Sequence, residues 1–200
     1  MSATPADKDA ELLRETDTLF HAAVVQGVVL DAKSALDNKR YRAAAVLAYC
    51  GIDTLASLIR GAKSPIVQRS DFIRWVEKYM DFQSKHGPTG RELYGARCGL
   101  LHASMAESET SKKDENVRLI GYADKNSEPV MHNEKVKTLI ILSTTHLVGI
   151  FAEGVLKCWK DIKADKELLS LVHQRLQKLY AQSNVKDLKP PSEAKPEFDV

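Results

Sequence analysis

Arg97 and His102 stand with four residues between them in the string Tyr94-Gly95-Ala96-Arg97-Cys98-Gly99-Leu100-Leu101-His102. The two side-chain types suit cleavage of a phosphodiester without a metal. An imidazole with an ordinary pKa of about 6.5 takes the proton of an RNA 2′-hydroxyl at neutral pH. A guanidinium keeps its charge throughout and offers a planar fork of donors to the crowded phosphorane. On a regular α-helix, positions five apart lie about 140° from one another around the axis. Such a pair does not share one helix face, and the two side chains converge more naturally if an antiparallel partner helix brings a second His near the first Arg. The structural alternative for the same residues is an ion pair of Arg97 with Asp53 or Glu92, and a His102 whose cation is favoured near a helix C-terminus.

Three further residues support this centre. Asp53 is the one charge between Ala43 and Ile59, and a carboxylate on so apolar a helix needs a partner. It either orients Arg97 or His102, or forms a structural salt bridge. Tyr94 precedes Arg97 by three residues, within reach of a bound substrate, although packing is the commoner fate of such a Tyr. Cys98 and His102 are an i,i+4 pair, but no Cys-x-x-Cys or second Cys/His pair accompanies them. A packed thiol is the expectation, and no metal or cofactor is called for. Gly87-Pro88-Thr89-Gly90 lacks the Gly-Lys-Ser/Thr ending of a P-loop and reads as a turn. His21, His132, His146 and His173 stand singly and are assigned no chemistry.

The elements that must position these residues are legible in outline. Leu12, Leu13, Leu19, Phe20, Val24, Val28 and Ala35 recur at helical intervals over about 9–36, before Asp37-Asn38 breaks the pattern. A second helix, about 40–60, is apolar nearly all round and belongs in the centre of the molecule. Gly61 stops it. Ser70 is placed to cap a short helix containing Phe72, Trp75, Val76 and Tyr79. Thr89 followed by Glu92 forms a capping box that opens the Arg97 helix, which runs to about Met105. The polar segment 107–116 reads as an exposed loop, with Ser111-Lys112-Lys113 extending the basic surface. Val117 to Tyr122 reads as a strand and Pro129 to Met131 as its returning partner. Long helices follow over about 133–161 and 165–182, and the tail 183–200, with Pro190, Pro191 and Pro196, reads as disordered. The pattern predicts an all-α chain, five to six helices in an antiparallel bundle with a small β-hairpin insertion at about 117–131, and one helical domain over 5–182.

The Arg97/His102 string resembles the Arg-four-residues-His motif of the HEPN superfamily, helical domains named for higher eukaryotes and prokaryotes nucleotide-binding. Tyr41 to Leu58, with its Tyr49-Cys50-Gly51-Ile52-Asp53 core, and Phe72-Ile73-Arg74-Trp75-Val76 are similar to the helices leading to the motif helix in such domains. The resemblance covers roughly residues 10–180 and implies a helical domain that dimerises, with motif helices meeting in a shared cleft. It implies a metal-independent endoribonuclease, a toxin or phage-defence effector with RNA as substrate and an antitoxin or other protein as a further partner. The alternative it implies is an inactive dimerisation or binding module for RNA, nucleotide or protein. Active members often carry a polar residue directly after the Arg, whereas this chain has Cys98, a departure that favours the binding module.

Bulk properties bound these readings. Two hundred residues with 44% hydrophobic content suffice for a core without disulfide staples. Three scattered cysteines, Cys50, Cys98 and Cys158, imply no disulfide framework and a reducing compartment. The acidic first residues lack the basic start and apolar run of a signal peptide. The charge-free stretch 138–152 is shorter than a span of roughly 20 residues. The expectation is a cytoplasmic protein without membrane contact. A net charge of +2 argues neither for nor against nucleic acid. From Arg60 to Arg97, however, eight basic residues face four acidic ones, a local excess able to attract an RNA backbone.

Overall fold

The computed structural model describes residues 4–83, 86–103, 117–123, 130–132 and 138–180, leaving aside the side chains at 102, 103, 131, 132 and 180. The molecule is mostly helical with one small sheet. The segments expected as an exposed loop (107–116) and as a disordered tail (183–200) lie outside the described residues.

Helix α1 (Pro5–Asp37) starts at a capping box, in which the Thr4 hydroxyl accepts from the Asp7 amide and the Asp7 carboxylate accepts from the Thr4 amide. Its middle, His21–Leu30, is wound as a π-helix. Helix α2 (Tyr41–Ile59) is the central element: Ala44, Ala48, Tyr49, Ile52, Leu55 and Ala56 are fully buried. Burial is confined to one face, however. Cys50, Asp53, Thr54 and Ser57 form an outward stripe, so α2 is not apolar all round in place. Both α1 and α2 have the length and hydropathy of a membrane span, and half of the α2 span is consumed by the core.

Helix α3 (Arg69–Tyr79) is capped by Gln68 with Asp71, not by Ser70, which lies inside the first turn. Helix α4 (Gly90–Cys98) begins at the expected Thr89/Glu92 box and continues into a π turn, Gly99–Ala103. Helices α5 (Thr144–Ala164) and α6 (Lys166–Tyr180) complete the six helices among the described residues.

The strands correct two expectations. β1 (Leu119–Ala123) and β2 (Val130–His132) are not paired as a hairpin. Each pairs instead with β3 (Leu139–Ser143), β1 in parallel and β2 antiparallel, giving the order β1-β3-β2. The helix expected over 133–161 accordingly starts only at Thr144. The run Leu139-Ile140-Ile141-Leu142 is too short to reveal a period, and its β-branched pair suits a strand. Ser143 ends it by accepting from the His146 amide, a cap inside what reads as one apolar stretch. Ile120, Ile140 and Leu142 are buried in the same core as the helices.

Close approach of α1, α2 and α5 depends on Gly51. A Cβ there would meet the Phe151 ring and come within 2.7 Å of Val28 Cγ1. Gly51→Ala gains about 1 kcal/mol of helix propensity but overpacks a site where Phe151 is fully buried. A net loss of roughly 1–3 kcal/mol is expected in urea unfolding. An unchanged or raised midpoint would show that the crossing is looser than this.

Candidate functional site

The start of α4 is held from three directions. Glu92, 3% exposed, accepts the Thr89 amide at 2.7 Å and forms a two-pronged pair with Arg118, Nε to Oε1 at 2.7 Å and Nη2 to Oε2 at 2.9 Å. The Arg118 amide adds a third contact at 3.2 Å. The same guanidinium donates to the carbonyls of His86 and Gly87, tying the preceding loop to the residue just before β1. Burial by itself pushes the Glu92 pKa up, but Arg118 and the Thr89 amide outweigh it and hold the carboxyl below its ordinary value. Arg118 escapes sequence reasoning, because nothing local marks an Arg beside a strand as the partner of a residue 26 positions earlier.

Two turns into α4, Arg97 reaches across to α2. Its Nε and Nη2 lie 2.8 and 2.7 Å from Oδ2 of Asp53, and its Nη1 lies 3.8 Å from the Cys98 sulfur. Of the two partners considered for Arg97, Asp53 is the one the fold selects; Glu92 is taken by Arg118. The pair is neither buried nor fully solvated, with side chains 22% and 25% exposed. Desolvation lowers the Arg97 pKa, yet Asp53 and Cys98 more than compensate and raise it overall, so the guanidinium is a fixed charge. Burial, then Asp53, raise the Cys50 thiol one turn before Asp53, against a smaller lowering by Arg97. It is a protonated neighbour rather than a nucleophile.

Tyr94 packs and also collects cations. Its ring meets Phe72 edge-on at 5.5 Å, while the guanidinium carbons of Arg97 and Arg69 lie 5.9 and 5.3 Å from its centre. Burial, followed by Cys98, raises its hydroxyl pKa against the smaller pull of the two arginines. Arg69 is exposed and is a functional candidate that only the fold singles out. The Tyr49 and Tyr122 hydroxyls, 2.7 Å apart, join α2 to β1 one turn before Asp53.

The backbone of His102 lies in the π turn Gly99–Ala103, and its side chain lies outside the described residues. This turn alters the expected geometry. A π turn closes i→i+5 bonds and advances through a smaller angle per residue, so positions 97 and 102 are nearer in angle than the 140° of a regular α-helix. Thus Arg97, Tyr94 and Cys98, on the helix whose next turn carries His102, are assembled with Asp53 of α2 at one place. No protein-family model matches the chain, and no curated protein or solved structure matches it at a significant level.

Proposed function

We propose that the protein is a HEPN-like, metal-independent endoribonuclease, built as an antiparallel helical bundle and acting in the cytoplasm as a two-fold dimer with the α4 helices facing one another. The observation that carries this reading is the setting of Arg97: a guanidinium oriented by Asp53, still 22% exposed, with the Arg69 charge at the same Tyr94 ring. Two fixed cations at a part-exposed place on the motif helix suit a phosphate whose charge grows in the transition state. A π turn beside them is the kind of helix irregularity found at functional sites. In this reading His102 takes the 2′-hydroxyl proton, Arg97 stabilises the phosphorane and Asp53 positions Arg97. A toxin or defence role, restrained by an antitoxin or another protein, fits such an activity.

The second reading, a binding module without catalysis, draws on Cys98 and on the engagement of Arg97 with Asp53. One experiment separates the two. The purified chain is incubated with a broad RNA pool in EDTA, and the product ends are mapped. The nuclease reading expects cleavage to persist, products to end in 2′,3′-cyclic phosphate and DNA to survive, since the attacking group is the RNA's own 2′-hydroxyl. RNA that is bound but never cut hands the case to the binding module. Light scattering at high concentration tests the dimer, and a monomer counts against it.

A further inference from the structure

Between the C-terminal halves of α2 and α6 lies an open cleft of about 530 Å³, lined by Asp53, Ser57, Arg60, Arg175, Lys178 and Leu179 among others. Its one carboxylate, Asp53, is the partner of Arg97. Among the described residues no carboxylate forms an ion pair with Arg60, Arg175 or Lys178, although Asp71, itself paired with Arg74, acts on Arg175 from a distance. Arg175 donates instead to the carbonyls of Leu58 and Arg60, both at 2.7 Å, and to that of Gly61 at 3.3 Å. Arg60 donates to the carbonyls of Ser57, Ser64 and Pro65. Carbonyls satisfy guanidinium hydrogens and fix the groups in place, but they carry no net charge. The end of a helix supplies only about half a negative charge against them. Desolvation and then the nearby Arg60 lower the Arg175 pKa, as two crowded cations should. The neighbouring cleft, about 250 Å³ and sharing Arg60, shows the contrast, since there Arg74 pairs with Asp71 and Lys78 with Asp161.

We infer that this cleft is a phosphate-binding subsite for a single RNA strand whose scissile bond lies at Arg97, an inference that rests on the ribonuclease reading. Asp53 lies on α2 and Arg60 follows its last residue, seven positions on and about 10 Å along the axis. One cationic locus at Arg97 and another a helix's two turns away fit a chain of phosphates rather than a lone anion. Leu179, half exposed at the rim, offers an apolar surface to a base.

The test uses wild-type protein and a single-stranded RNA bearing 2′-O-methyl groups, which keeps every phosphate but cannot be cut. Binding is followed by fluorescence anisotropy across a salt series. Lys178 is exposed and forms no ion pair among the described residues, so Lys178→Glu should fold, and Lys33→Glu, at an exposed position of α1, controls for the same loss of net charge. Lys178→Glu should weaken binding about equally for all sequences and reduce the salt slope by about 0.7–1, while Lys33→Glu should leave the slope alone. A wild-type slope in Lys178→Glu, or equal losses in both variants, overturns the subsite. If unmodified RNA is then still cut by wild type, the ribonuclease reading stands without it. If wild type cuts no RNA but the Lys178→Glu slope falls, the subsite stands and catalysis does not. Absence of any binding by wild type overturns the subsite.

Discussion

On the ribonuclease reading, Arg97→Ala and His102→Ala should each cripple RNA cleavage while leaving a folded protein. Loss of the proton acceptor should cost about 10²–10⁴ in kcat, and loss of the charge that stabilises the phosphorane about 10²–10³. The fold should survive Arg97→Ala because the Arg97–Asp53 pair is about a quarter exposed, and such pairs contribute of the order of 1 kcal/mol. Asp53, a quarter exposed, then keeps access to water. Arg97→Lys retains the charge but not the fork of donors that meets Asp53, so activity should return only in part. Asp53→Asn tests positioning: kcat should fall more than KM changes, because the cation remains but its orientation loosens. Cys98→Ser should keep activity, which separates this mechanism from a thiol nucleophile on the same helix. Full activity in Arg97→Ala would return Arg97 to a purely structural role.

The largest effect on stability should come from the Glu92–Arg118 pair. Arg118→Met leaves a carboxylate only 3% exposed with no guanidinium opposite, whereas Glu92→Ala leaves an Arg that is 21% exposed and can reach water. Breaking a buried pair costs about 3–5 kcal/mol. Arg118→Met is expected at the upper end of that range and Glu92→Ala at the lower. The pH dependence follows from the direction of the Glu92 shift. Its folded pKa lies below the ordinary value of 4.5, so the stabilisation is fully present above that value. It is lost as pH falls through the lower, folded pKa. Urea midpoints at pH 7 and near pH 3 should therefore converge between wild type and Arg118→Met at the acid end. Equal losses at both pH values would show that the guanidinium acts mainly through the His86 and Gly87 carbonyls.

Local chemistry made much of this protein readable from its residues. The Thr89/Glu92 box placed the start of α4 because a helix terminus must satisfy its own amides with side chains close in sequence. The helices expected over about 9–36, 40–60 and 165–182 stand as α1, α2 and α6, although the middle of α1 is wound as a π-helix. Arg97, Asp53 and Tyr94 were recognisable as a group by type, and their meeting needed a long Arg97 side chain reaching from α4 to α2, two helices that both pack on α3. Strand pairing is different. Nothing within Val117–Met131 says that its two strands ignore each other and both seek β3, because an edge is chosen by what else is buried with it. The apolar run 139–142 likewise became a strand only because two edges awaited it. Arg118 and the Arg60–Arg175–Lys178 cleft belong wholly to the tertiary structure, since each joins residues far apart in the chain. The π turn at Gly99–Ala103 is subtler. Sequence specified a helix there, but the angle between Arg97 and His102 depends on how one turn is wound, and packing decides that.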